Sequence, residues 1–140
     1  MIKIQKEDFS VDQILKDIQN DSIGGIVTFV GVVRNISEGK HVIKMEIEIY
    51  EEMAIKQLEI IRENALSTYG VEKVAIIHRY GELQVSDNIM MIAVGSKHRA
   101  EAFDACRYII DEIKEKVPIW KKEHTPEGES WVEGKRHGKN

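Results

Sequence analysis

The chain has 140 residues, the size of one domain of about 100–150 residues, and its 42% hydrophobic and 31% charged residues are the balance of a protein with a packed core. A formal net charge of −4 excludes the broad basic footprint that sequence-independent nucleic-acid binding needs. The single cysteine, Cys106, excludes an internal disulfide framework and a multi-cysteine metal site, and no apolar run approaches the ~20 residues that span a bilayer. Met1-Ile-Lys-Ile-Gln-Lys-Glu-Asp8 has no apolar stretch of the signal-peptide kind, so the expected location is the cytoplasm.

Met1 to Gln5 alternates apolar and polar residues and reads as a short strand. Ser10-Val-Asp-Gln13 is a capping box that opens a helix over Val11 to Asn20. After a turn at Asp21 to Gly25, the β-branched run Ile26 to Val33 predicts a buried strand, and Arg34 to Lys40 a polar loop. Val42 to Tyr50 alternates at period two, a half-buried strand. Glu51 to Tyr69 carries the stripe Ala54, Leu58, Ile61, Ala65, Leu66 and Tyr69 of a second helix, with Gly70 placed to end it.

Val71 to Tyr80 and Asn88 to Gly95 predict strands, joined by a connection containing Gly81 and Ser86-Asp87. Ser96 is the expected cap of a third helix that runs to Val117, where Pro118 stops it. Ile119 to Glu123 and Ser130 to Glu133 are short strands around the turn Thr125 to Gly128, and about 134–140 form a solvated basic tail. Helices are few and strands often adjacent, which predicts an α+β fold, a single domain over 1–140 with three helices.

Chemistry concentrates in a few places. Gly95-Ser-Lys-His-Arg99 lies where an apolar strand meets a helix, and free N–H groups make a helix N-terminus an anion site. Basic side chains sit badly there, so Lys97, His98 and Arg99 suggest a bound anion that offsets the conflict. The ordinary alternative is a solvated basic loop. Lys114 lies at the edge of the apolar stripe of the third helix, where a lysine stem often simply snorkels over the core. In Ile119-Trp-Lys-Lys-Glu123, strand alternation puts Lys121 and Glu123 on one face and Lys122 on the other, with Trp120 expected inward beside Lys122. Arg34 ends a strand and opens a loop, a frequent place for function.

His78-Arg79 reads as structural. His41, His124 and His137 show no metal spacing, and Cys106 reads as a small core residue. Taken together, the cations point to an anionic, phosphorylated ligand held by Arg34, His98 and Arg99. A lysine crowded by other cations can act there as acid, base or nucleophile.

Thr28-Phe-Val-Gly-Val-Val-Arg-Asn35, Tyr50-Glu-Glu-Met-Ala54, His78-Arg-Tyr-Gly-Glu-Leu83, Ser96-Lys-His-Arg99 with Ala102-Phe103, and Lys114 followed by Pro118-Ile-Trp-Lys-Lys-Glu123 together resemble the molybdopterin synthase catalytic (large) subunit family, in order and spacing, over most of the chain. The resemblance implies an α/β-hammerhead-like fold within the α+β class. It implies a sulfurtransferase that converts cyclic pyranopterin monophosphate (precursor Z) into molybdopterin, in molybdenum cofactor biosynthesis. The sulfur would come from the C-terminal thiocarboxylate of a small ubiquitin-like subunit, within a heterotetramer built on a homodimer.

Carried over residue by residue, the resemblance makes Lys114 and Lys121 catalytic, and puts Val32, Val33, Arg34, His98, Arg99, Lys122 and Glu123 with them around the substrate. Lys135 or Arg136 is a further candidate. No metal or organic cofactor, nucleic acid or membrane is implied. The alternative is a non-catalytic module that binds a phosphorylated metabolite.

Overall fold

A computed structural model of the chain describes residues 1–132. Glu133, the basic tail and the candidates Lys135 and Arg136 lie outside the described residues. The framework is a sheet of β1 (Ile2–Gln5), β6 (Lys73–Arg79), β8 (Asn88–Ser96) and β2 (Gly25–Val32), in that order. Only the β1–β6 pair is parallel in this sheet. Its two central strands are apolar on both faces because both faces are covered. Val74, Ile76, Ile92 and Val94 pack with α2 (Glu51–Tyr69) and α3 (Arg99–Lys116) through Leu58, Ile61, Ala105 and Ile109. Ala75, Ile77, Met91 and Ala93 meet Ile14 and Ile18, at the end of α1 (Val11–Asp17).

A second sheet, all antiparallel, runs in the order β10 (Gly128–Trp131), β9 (Ile119–Thr125), β5 (Lys44–Ile49) and β7 (Gly81–Gln84). A two-strand hairpin of β3 (Ile36–Ser37) and β4 (Lys40–His41) completes the structure. Three helices over mainly antiparallel strands are thus present among the described residues, the α+β class expected.

The second helix is as its sequence predicts. Ala54, Leu58, Ile61 and Ala65 are buried, and Gly70 ends it with a left-handed φ of 69°. Tyr69 meets Tyr108 of α3 with ring centroids 5.5 Å apart, tying the two helices together.

Elsewhere turn chemistry or tertiary contacts override the expected boundaries. Helix α1 stops at Asp17 rather than Asn20, because the Asn20 side chain accepts from the N–H groups of Ser22 and Ile23 at 2.9 and 3.1 Å and starts a turn. Ser96 does not cap α3. It is the buried last residue of β8, held extended by pairing with Gly25, while its carbonyl accepts from the Gly24 N–H at 2.9 Å. The N-cap is therefore His98, which has no side-chain capping bond.

The connection after β6 contains the strand β7, which exists only by pairing with β5. The loop after β2 folds into the β3–β4 hairpin, turned by Glu38 and Gly39 with φ of 49° and 78°. The period-two pattern starts only at Lys44, since Val42 is 1% and Ile43 49% exposed, opposite to the expected phase.

The junction that carries Lys97 and His98 has no room for a side chain at Gly24, where a Cβ would stand 2.5 Å from the Lys97 carbonyl oxygen. Gly24→Ala is expected to lower unfolding free energy by about 1–3 kcal/mol, the usual range for overpacking. Urea denaturation measures it, and an unchanged midpoint would mean that this contact relaxes freely.

Candidate active site

A cavity of about 330 Å³ opens where the two sheets and the end of α3 meet. Met45, Ile89, Met90, Ile113, Val117 and Ile119 form its apolar wall, and Arg34, Ser37, His78, Lys114, Lys121 and Glu123 bring polar groups. Mostly apolar walls with a few convergent polar groups are the usual build of a small-molecule site. Three cations face one carboxylate among these described residues, so the cavity favours anions.

Each side chain arrives by a different route. At the end of β2 the register with β8 shifts, so that Gly31 pairs with Met90 but Val32 with Asn88. Such an irregularity re-aims the strand's last side chains. Val33 is then pinned by two backbone bonds, its N–H to Asp87 at 3.0 Å and its carbonyl from Ser86 at 2.7 Å. Its side chain is 1% exposed and lies in the core, whereas Val32 and Arg34 on either side line the cavity.

Lys114 stands in the last turn of α3, where a cation also suits the helix dipole. Pro118 turns the chain back into β9, which pairs with β5 so that Lys121 lies opposite Ile47 and Glu123 opposite Met45. Ile47 and Met45 are buried, so Lys121 and Glu123 share the inward face. The expected alternation therefore holds for the lysines.

Trp120, expected inward, is 52% exposed on the outer face. Lys122 shares that face, where it pairs with Glu129 at 3.5 Å and lies over the Trp131 ring at 4.8 Å. His124 also lies there, bonded to Glu46 at 2.8 Å. Lys122 and Val33 do not line the cavity. Nor do His98 and Arg99, which are exposed at the opposite end of α3. A helical rise of about 22 Å separates Arg99 from Lys114.

The structure adds a residue that the sequence reading gave to the scaffold. His78, 2% exposed, forms part of the cavity wall. The signal was present in the strand period, since Val74, Ile76 and His78 alternate onto the face covered by α2 and α3. Burial, and then the positive charge of Lys121, push its pKa down to about 4, against the bond from its Nδ1 to the Arg79 carbonyl. Cys106 is away from the cavity, and burial pushes its thiol up to about 11, which suits a core residue. Among the described residues no group of three or more His, Cys, Asp or Glu side chains is placed to hold a metal ion, and no helix is long and apolar enough to cross a membrane.

Comparison with known proteins gives the same answer from three directions. The family model described as MoaE protein matches residues 4–116. The molybdopterin synthase catalytic subunit of Pyrococcus abyssi is 47% identical over 131 residues, covering 94% of this chain and 88% of the relative. The crystal structure of molybdopterin synthase from Staphylococcus aureus superposes with a TM-score of 0.88 at 38% identity, covering 93% of this chain and 95% of the other. A complex of subunits 1 and 2 of the molybdopterin-converting factor from Helicobacter pylori shares the fold, with a TM-score of 0.77 at 21% identity, covering 94% and 90% of the two chains.

Proposed function

The chain belongs to the MoaE family, and on that premise we propose that its single domain carries out sulfur transfer in the cavity lined by Arg34, Lys114, Lys121 and Glu123. It acts in molybdopterin biosynthesis, as a sulfur-transferring subunit. The observation that carries the site assignment is convergence. Three cations from distant parts of the chain, the end of β2, the end of α3 and the middle of β9, meet in one cavity.

In this reading the substrate is precursor Z, and the sulfur donor is the C-terminal thiocarboxylate of a small ubiquitin-like subunit. Both are anions, and the excess positive charge of the cavity attracts them. Arg34 holds the phosphate beside Val32. Lys114 stands by the donor carbonyl, and Lys121 transfers a proton or stabilises the negative charge that develops as sulfur adds. Lys122 and the Val33 side chain have no part in it. The reaction asks for no metal or organic cofactor, and its setting is the cytoplasm.

His98 and Arg99 complete the anion site only from a second copy, because α3 holds them too far from Lys114 in their own chain. The assembly is therefore a homodimer of this chain with a small subunit on each copy, a heterotetramer. A shared site predicts complementation. Arg99→Ala and Lys121→Arg should each be nearly inactive, and mixing them under subunit exchange should restore part of the activity, since one site of each mixed dimer is then intact. No recovery in exchanged, verified mixed dimers would place His98 and Arg99 outside the reaction.

The direct test combines the chain, a thiocarboxylated small subunit and precursor Z, and follows the dithiolene product. Product formation is expected. Saturable binding of precursor Z without conversion would leave only the module that binds a phosphorylated metabolite.

A further inference from the structure

His78 sits at the end of β6, between Ile4 of β1 and Met90 of β8 in register, so its backbone is fixed from both sides. An imidazole this buried is costly unless its polar atoms are used. One of them is. Nδ1 lies 2.8 Å from the Arg79 carbonyl oxygen, and a carbonyl only accepts, so Nδ1 carries the proton. A neutral ring with that tautomer keeps its lone pair on Nε2. The adjacent Arg79 is itself anchored, donating Nε to the Lys6 carbonyl and Nη1 to the Asn88 carbonyl, each at 3.0 Å.

The charged groups around the ring are mostly positive. Lys121 and Glu123 face the cavity from β9, Lys114 from α3 and Arg34 from the segment after β2, with Arg79 next in its own strand. Lys121 is the group whose charge His78 feels. The Arg79 carbonyl already occupies Nδ1.

We propose that His78 is a positioning residue for Lys121: its Nε2 accepts a hydrogen bond from the Lys121 ammonium and holds that group at the cavity wall. A neutral acceptor fixes direction without neutralising the charge, whereas a carboxylate would both pair with the lysine and favour its protonated form. The proposal rests on the reading of Lys121 as the proton-transfer group, but its geometry can be tested separately.

His78→Asn keeps a nitrogen able to donate to the Arg79 carbonyl and loses the acceptor at the far side of the ring, whereas His78→Gln puts an amide oxygen near the Nε2 position. In the assembled enzyme, His78→Asn is expected to slow single-turnover conversion on the order of 10²-fold, the effect of misplacing a reacting group by about 1 Å, with unchanged affinity for precursor Z. His78→Gln should recover much of that loss. A folded His78→Asn enzyme at wild-type rate overturns the proposal.

Nitrogen NMR of the wild-type assembly tests the bond without any variant at His78. Nδ1 should be protonated and Nε2 bare between pH 5 and 8, and the Nε2 signal should move in Lys121→Met. A protonated Nε2, or a signal indifferent to Lys121→Met, overturns the proposal even if neither His78 variant folds. If the NMR signature holds while Lys121→Arg converts normally, the contact stands and the proton-transfer reading of Lys121 fails.

Discussion

Lys121→Arg and Lys114→Arg are each expected to keep the fold and the complex with the small subunit, and to lose about 10²–10⁴-fold of precursor Z conversion, the range for loss of general acid–base catalysis. The two side chains reach one cavity by different devices. Lys114 is on the last turn of α3, and Lys121 is on β9 just past the Pro118 reversal, opposite buried Ile47. Neither substitution removes charge, so binding of the two anions should survive.

Arginine differs in one decisive respect: its pKa exceeds 12 and it does not release a proton in a protein. Stability should change little at Lys114, which is exposed, because such positions usually stay within about ±0.5 kcal/mol. Single-turnover conversion with saturating thiocarboxylated partner is the measurement. Near-normal rates for both variants would show that positive charge alone suffices, and a loss in only one would assign the proton to that lysine.

The protein should lose stability as pH falls from about 6.5 towards 4 through His78. In the unfolded chain this imidazole takes up a proton near its ordinary value of 6.5, while the folded protein holds it neutral down to about 4. Between those values the unfolded state binds more protons, so the stabilising contribution is complete above 6.5 and lost as pH falls through the window. The slope is about 1.4 kcal/mol per pH unit, on the order of 3 kcal/mol across the whole window.

Most carboxylates titrate below pH 5, which leaves the upper part of the window to histidines. Urea denaturation at pH 7.0, 6.0 and 5.0 measures the slope, and His78→Gln should flatten it. Equal slopes for the two proteins would show that His78 is accessible to protons in the folded state.

Local patterns determined much of this protein. The stripe of Glu51 to Tyr69 with Gly70 specified α2, and the apolar run of Asn88 to Gly95 specified the strand β8. These readings succeed because helix and strand periods follow from backbone geometry within a few residues. The alternation of Lys121, Lys122 and Glu123 was legible for the same reason, and so were Arg34 and Lys114 as candidates, since each breaks an otherwise apolar pattern. The ordered motifs also carried the family and with it the reaction.

Tertiary structure decided what depends on distant partners. The pairing of β9 with β5 chose which face of the Lys121 strand is inward and turned Trp120 out. The ladder between Ser96 and Gly25 moved the start of α3 to Arg99, and β7 exists only on the edge that β5 offers. His78 looked like scaffold because a polar residue ending an apolar strand carries no local mark of what covers it. Only the approach of Lys121 from β9 gives it chemistry. The length of α3 separates His98 and Arg99 from Lys114, although charge alone had grouped them. Charge type is written residue by residue, whereas the distance between charges is set by the path of the chain between them.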